Sequence, residues 1–272
     1  MNGVNITARA IAEATAPPAL LVVQHLAKSY DVGGRVVPVI GDLSLTLDNG
    51  QIVSIVGPSG CGKTTLLNTL CGLVMPDSGR ITWYGREIAG QPQNVGYMLQ
   101  KDLLLPWRTA LGNVMLGLEI RGVNAVEAKD RSRAMLDQLG LHGFSDHYPS
   151  TLSGGMRQRV ALARTFVNEP AVLLLDEPFA SLDFQNKLLI ESDTAKLIRK
   201  GGRSLLLITH DIEEAVSLAD QVIVLSKRPT QVKAVYDIAL GIERTDMMAA
   251  RDSRDFSKYV RRIWADLDVV LQ

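Results

Sequence analysis

The chain is poor in cysteine, in net charge and in long apolar runs, and each shortage narrows what it can be. Its 272 residues hold two cysteines, Cys61 and Cys71. One sits inside a glycine-rich loop and the other shortly after it, where a disulfide would distort the loop. They read as reduced thiols of a reducing compartment, which excludes a disulfide-stapled secreted scaffold. The 29 Lys and Arg residues are balanced by 29 Asp and Glu, so no long-range field draws in nucleic acid, and no nucleic-acid partner is expected. No apolar run approaches the roughly 18 to 20 residues that span a bilayer, so the chain cannot be a channel by itself. Residues Met1 to Ala19 lack a basic start and a continuous apolar stretch, and so are not a secretory signal. They are expected to form a loose N-terminal extension ending at Pro17-Pro18. There is no internal repeat and no low-complexity segment.

What is present is phosphate chemistry. Gly57, Pro58, Ser59, Gly60, Cys61, Gly62, Lys63, Thr64 and Thr65 fit the pattern G-x-x-x-x-G-K-[ST]. The apolar run Ile52 to Val56 precedes the loop, and Leu66, Leu67 and Leu70 follow at helical spacing, giving strand, loop and helix in the order that phosphate binding needs. The glycines let successive backbone N–H groups turn inward, and the helix starting near Lys63 adds its positive end. Lys63 supplies a cation and Thr64 a hydroxyl for Mg²⁺.

Two further segments extend the site. The run Val172-Leu-Leu-Leu-Asp-Glu177 describes a strand buried on both faces that delivers Asp176 and Glu177 at the sheet's C-terminal edge. Asp176 is assigned to the metal and Glu177 to general-base work on the attacking water. The second segment, Leu152-Ser-Gly-Gly-Met-Arg-Gln158, is another glycine-rich turn. Ser153 is typed to cap the helix Met156 to Val167, and Gly154 and Gly155 expose backbone donors at its positive end, where a γ-phosphate can bind.

With both turns and the acidic strand in this order, the chain resembles the ATP-binding cassette (ABC) family of transport ATPases, from about Leu20 to its end. The resemblance implies an α/β P-loop NTPase core with a parallel sheet, an antiparallel β-subdomain and an inserted α-helical subdomain. It implies ATP and Mg²⁺ as ligands and two cassettes packed head to tail. Each Ser153 turn, with Gln158 behind it, would then close the partner's site. Gln100 resembles the glutamine that reaches Mg²⁺ and water, Asp183 in Ser181-Leu-Asp183 the loop that crosses to the partner, His210 the histidine that contacts the γ-phosphate, and Tyr30 the aromatic that stacks on adenine. The catalytic set is thus Glu177, His210, Lys63 and Gln100, and the metal set Thr64, Gln100 and Asp176.

Periodicity outlines the rest. Alternation from Leu21 to Tyr30 and over Leu43 to Leu47, with Arg80 to Trp83, predicts the antiparallel strands. Asn124-Ala-Val-Glu127 predicts a capping box opening a helix within a helical subdomain at about 101–155. Strand and helix signals then alternate through Leu225. The ATPase domain is read as 20–240. In the tail, 241–272, Phe256, Tyr259, Val260, Ile263, Trp264, Leu267 and Leu271 predict an amphipathic helix that packs on its own sheet or serves as a docking surface.

After Gln100 comes Leu103-Leu-Leu-Pro-Trp107, with Asn113 downstream. Exposed apolar residues there suit the grip on a membrane subunit's helix, with Leu104, Leu105, Pro106 and Trp107 as the groove's edge and Trp107 as a core residue in the rival view. Leu-Pro-Trp with Asn113 is similar to the importer branch for nitrate, sulfonates and taurine. That implies a subunit at the cytoplasmic face of the cell membrane, beneath permease subunits fed by a solute-binding protein. Exporter and lipoprotein-release cassettes share the core motifs and are separated by Leu-Pro-Trp. Cassettes of DNA repair or translation carry a long coiled coil or two fused cassettes.

Overall fold

A computed structural model describes residues 19–267 apart from 89 and 243. Most of the N-terminal extension, and Asp268 and Leu271 of the tail, therefore lie outside the described residues. Strands β1 (Leu21–Val32) and β2 (Arg35–Leu47) form a hairpin through Gly33-Gly34, both at positive φ as a two-residue turn requires. Strand β3 (Ile52–Val56) enters the phosphate loop, and α1 (Lys63–Leu70) leaves it. Strand β4 (Ser78–Trp83) pairs antiparallel with β1, and the short β5 (Arg86–Glu87) pairs with β4. Strand β6 (Val95–Met98) leads into three helices, α2 (Ala110–Ile120), α3 (Ala125–Gln138) and α4 (Gly154–Phe166). There follow β7 (Val172–Asp176), α5 (Phe184–Lys200), β8 (Ser204–Ile208), α6 (Ile212–Leu218), β9 (Gln221–Leu225) and β10 (Thr230–Asp237), then α7 (Met247–Asp252) and α8 (Phe256–Asp266).

The strands form one sheet in the order β5-β4-β1-β2-β10-β9-β3-β8-β7-β6. Neighbours from β9 to β6 are all parallel. The antiparallel strands expected as a separate subdomain pair as anticipated but join the same sheet. Strand β10 makes the join, running antiparallel to β9 and, at its start, parallel to the middle of β2 at Thr230↔Ile40 and Gln231↔Asp42.

Period-2 alternation sorts the parallel strands into two cores. Ile52, Val56, Leu173, Leu175, Leu205 and Leu207 face one side, with the helices α2 to α8. Val53, Ile55, Val172, Leu174, Leu206 and Ile208 face the other, with α1 and the β1–β2–β4 layer. Burial on both faces is why these strands read as continuous apolar runs. Among the described residues no helix is long and apolar enough to cross a membrane.

Helix starts follow their capping residues. Thr109, Ser153, Asp183 and Asp211 each accept a hydrogen bond from a backbone N–H of the following first turn. The capping box expected at Asn124 is half formed: Asn124 accepts from Val126 N–H, while the Glu127 carboxylate turns to Arg131 at 3.2 Å. An i,i+4 ion pair has taken the side chain that would otherwise reach back.

The tail is part of the main core. Met247, Ala250, Phe256 and Ile263 are buried in it, Tyr236 O–H donates to Asp266, and Ala239 N–H donates to the Tyr259 hydroxyl at 3.2 Å. Packing on its own domain is thus the outcome for α8, with Trp264 half exposed beside it. Truncating Ile263 to alanine should destabilise the fold by about 2–5 kcal/mol, since the side chain is fully enclosed. Thermal unfolding checks this, and an unchanged melting temperature would show that the tail is not anchored there.

Candidate functional site

The phosphate loop is held open by its own backbone. Gly62 lies at φ 121°, and a Cβ there would stand 2.7 Å from a Val39 methyl, so glycine alone fits where the loop passes under β2. Thr230 O–H donates to the Cys61 carbonyl and ties the loop to β10. Lys63 is buried, its Nζ donating to the carbonyl oxygens of Gly57 at 2.8 Å and Pro58 at 3.1 Å. The ammonium is thus folded back across the loop.

Ser59, Gly60, Gly62, Lys63, Thr64, Thr65, Gln100, Asp176 and Glu177 line one cleft of about 260 Å³. Thr64 O–H donates to Asp176 Oδ2 at 2.7 Å, joining the start of α1 to the end of β7. Burial pushes the Asp176 carboxyl up from its ordinary value, opposed by the Thr64 hydrogen bond and by Lys63. The hydroxyl and carboxylate are hard oxygen donors suited to Mg²⁺, an ion that takes one or two protein oxygens and completes its shell with phosphate and water.

Glu177 stands next along the chain at φ 50°, with its N–H donating to Ile208 O at 2.8 Å. A left-handed conformation costs a non-glycine residue about 1–2 kcal/mol, and such strain concentrates at functional positions. Gln100 donates through Nε2 to Glu177 Oε2 at 2.9 Å, and His210 Nδ1 lies 3.4 Å from Glu177 Oε1. Three segments far apart in sequence, the ends of β6, β7 and β8, thus meet at one carboxylate. Such a group, next to the loop, can take a proton from water.

Gly57 and Pro58 open a neighbouring cleft with His210. Tyr30, Ser153, Gly154, Gly155, Gln158 and Asp183 are outside the residues lining the phosphate cleft. Tyr30, at the end of β1, carries the Lys28 ammonium 5.6 Å from its ring centre. Ser153 caps α4 through Met156 N–H at 3.2 Å. Gly155 is where the turn approaches Leu182 so closely that a Cβ would lie 2.9 Å from that side chain, which groups the second turn with the Ser181–Asp183 loop. Asp183 caps α5, and its bonds from Asn186 hold its carboxyl below the usual range. Gln158 is buried within α4, one turn beyond the exposed helix start; its side chain is not at the surface where a partner's phosphate would meet Ser153.

Arg228 lines the phosphate cleft and was missed from sequence. It comes from the β9–β10 turn, and no spacing relative to the loop announces it. Only the basic pair Lys227-Arg228 before Pro229 was legible as a signal.

The family model described as "ABC transporter" matches residues 40–180. An uncharacterized ABC transporter ATP-binding protein of Methanocaldococcus jannaschii is 38% identical over 243 residues, covering 89% of each chain. The chain belongs to the ABC transporter ATP-binding family. The taurine import ATP-binding protein TauB of Yersinia pestis (strain Antiqua) is 44% identical over 225 residues, covering 83% of this chain and 88% of that one. Among solved structures, the dimeric ATP-binding cassette MJ0796 bound to ADP and Pi superposes with a TM-score of 0.75 at 29% identity, over 80% of this chain and 99% of that one. As a cassette of this family the protein binds ATP and hydrolyses it in transport.

On this geometry Lys63→Ala should lose ATP affinity, because the one cation inside the loop is gone. Glu177→Gln should keep ATP and lose turnover by about 10²–10⁴-fold, the range for removing a positioned base. Nucleotide titration and phosphate release on the two variants are the measurements, and wild-type turnover in Glu177→Gln would remove Glu177 from the chemistry.

Proposed function

We propose that this cassette powers an importer of a small anion of the nitrate, sulfonate or taurine kind, working as a pair beneath permease subunits at the cytoplasmic face of the membrane. The observation that carries the reading is the turn after Gln100. Trp107 is 71% exposed there, and Leu103 and Pro106 are exposed beside it. An exposed indole on a fixed turn suits docking better than packing. The turn is fixed by Asn113, fully buried, whose Oδ1 accepts from Leu105 N–H at 2.7 Å. Its Nδ2 donates to the carbonyls of Leu105, Arg108 and Thr109 at 3.0–3.1 Å. Leu104, expected at the groove's edge, is instead buried against the core. The taurine-import relatives support a sulfonate-bearing solute, and delivery of that solute to the permease by a solute-binding protein is part of the proposal.

Turnover in this reading uses the residues around Glu177. Thr64 and Asp176, with Gln100 beside them, would hold Mg²⁺, which would supply positive charge against the phosphates. Lys63 swings from the Gly57 and Pro58 carbonyls to the phosphates. Glu177 orients the attacking water and accepts its proton, while Gln100 and His210 keep the carboxylate aimed. The second anion-binding turn, Ser153 to Gly155, lies apart from this cleft, so it serves a second copy whose own Ser153 turn returns the contact. The dimeric relative MJ0796 supports that pairing, and Asp183 and Tyr30 are assigned to the partner contact and to adenine.

The turn that carries Trp107 is also strapped to α4. Arg157 Nε donates to Asp102 Oδ2 at 3.1 Å, and Arg164 donates to the carbonyls of Asp102 at 2.6 Å and Leu103 at 2.9 Å. The docking surface and the second turn therefore move together.

Two experiments test the reading. Glu177→Gln should dimerise with ATP in light scattering, and adding Ser153→Arg should abolish the dimer; a fully active ATP-bound monomer would refute the pair. Trp107→Ala should leave melting temperature and isolated ATPase unchanged while reducing uptake in cells, since a large aromatic anchor contributes on the order of 2 kcal/mol to an interface. Normal uptake by that variant would remove the docking role.

A further inference from the structure

Away from the nucleotide, the start of α6 holds a concentration of charge that the chemistry above does not use. Asp211, Glu213 and Glu214 follow His210 within four residues. Two cations from two different elements meet them. Lys187, on α5 one turn after the Asp183 cap, donates to Asp211 Oδ2 at 2.6 Å and stands 2.7 Å from Glu214 Oε2. Arg251, on α7 of the tail, lies 3.2 Å from Glu213 Oε2. Between them Glu191, wholly buried, has carboxylate oxygens that accept no hydrogen bond among the described residues; they lie 3.7 Å from Lys187 Nζ and 3.8 Å from an Arg251 nitrogen. Burial opposes the charge on Lys187, yet Glu214 and Asp211 hold its ammonium above the usual lysine value.

The clamp bears on an exposed catalytic candidate. His210 has a side chain 61% exposed, and Glu177 is the ionic partner it meets. Its ring is therefore aimed by the backbone on either side rather than by neighbours packed around it. That backbone is set by Asp211, whose N–H donates to Thr209 Oγ1 at 3.0 Å, whose Oδ1 accepts from Glu214 N–H at 3.1 Å, and whose Oδ2 takes Lys187. Both carboxylate oxygens are used, so rotation of Asp211 would break the cap and the ion pair together.

We propose that Lys187 and Arg251 are positioning residues for hydrolysis: they clamp the first turn of α6 from two sides and thereby hold His210 against Glu177, which makes the tail helix α7 part of the hydrolytic machinery. The inference rests on the role proposed for His210. Loss of either cation leaves carboxylates under-compensated in a low-dielectric seam, and the turn relaxes toward water. The nucleotide loop is built from other residues and keeps its ligand.

The test compares Lys187→Met, Arg251→Gln, Arg251→Lys and His210→Ala in the purified full chain, by ATP affinity, turnover and melting temperature, with turnover measured below the lowest melting point. Lys187→Met and Arg251→Gln should lower kcat by about ten- to a hundredfold, the scale of a small misplacement of a reacting group, with ATP affinity unchanged. Arg251→Lys keeps the cation and should retain turnover. Should Lys187→Met not fold, Arg251→Gln and Arg251→Lys decide. Wild-type kcat in Lys187→Met and Arg251→Gln beside an inactive His210→Ala would overturn the clamp alone. So would a lowered melting temperature with unchanged kcat, the result of a merely structural ion network. Wild-type turnover in His210→Ala would overturn the reading of His210 and the clamp with it.

Discussion

The hydrogen bond from Thr64 to Asp176, 2.7 Å long, is the constraint on which the site's geometry turns. Thr64 belongs to the loop after β3 and Asp176 to the end of β7, with β8 between those strands in the sheet. A single short contact therefore spans one strand and aligns a backbone cradle with a carboxylate edge. It is possible because the parallel strands end together: β3 pairs with β8 and β8 with β7 in register, so loops leaving their C-terminal ends rise at one level. Glu177, Gln100 and His210 inherit their positions from that alignment. The bond also lowers the cost of burying Asp176, whose carboxyl burial alone would push toward neutrality.

Charge is handled in two ways in this molecule. At the nucleotide cleft the acids and Lys63 are left with capacity to rearrange, the lysine resting on carbonyls and Glu177 on an amide and an imidazole. At the α5–α6–α7 seam the charges are mutually committed, from the half-exposed Glu213 inward to the wholly buried Glu191. A buried ion network adds little net stability over apolar packing and is costly to break, so its use lies in fixing one arrangement. The tail's apolar contacts, through Met247, Phe256 and Ile263, supply the stability that the charged seam does not.

Much of the fold could be read from the chain because its signals are local. The phosphate loop, the apolar strand before Asp176, and the capping serines and aspartates each declare themselves within a few residues. Gln100, Glu177 and His210 were each legible as strand ends, and their convergence followed from parallel topology. What escaped has no local signature. Arg228 reaches the cleft from a distant turn. Leu104 is inside while Leu103, at φ 43°, faces out, and no periodicity in the irregular segment after Gln100 says which side chain turns inward. Gln158 reads as part of a surface motif but sits one turn into a helix, on its buried face. The continuity of the antiparallel layer with the core depends on β10, whose two bridges to β2 leave no trace in periodicity. Lys187 and Arg251 belong to no motif, and their meeting is a property of packing alone.

The strap between the segment after Gln100 and α4 has a consequence for how such a surface can change. Arg164 grips the carbonyls of Asp102 and Leu103, and Asn113 holds the main chain at Leu105, Arg108 and Thr109. These grips are on peptide groups, which every residue has. The side chain of Trp107 lies outside these grips and is exposed, free to be replaced without disturbing the turn that presents it. The same rigid mount can therefore carry different faces, and in the docking role proposed above a few surface substitutions refit the cassette to another partner while its nucleotide chemistry stays as it is.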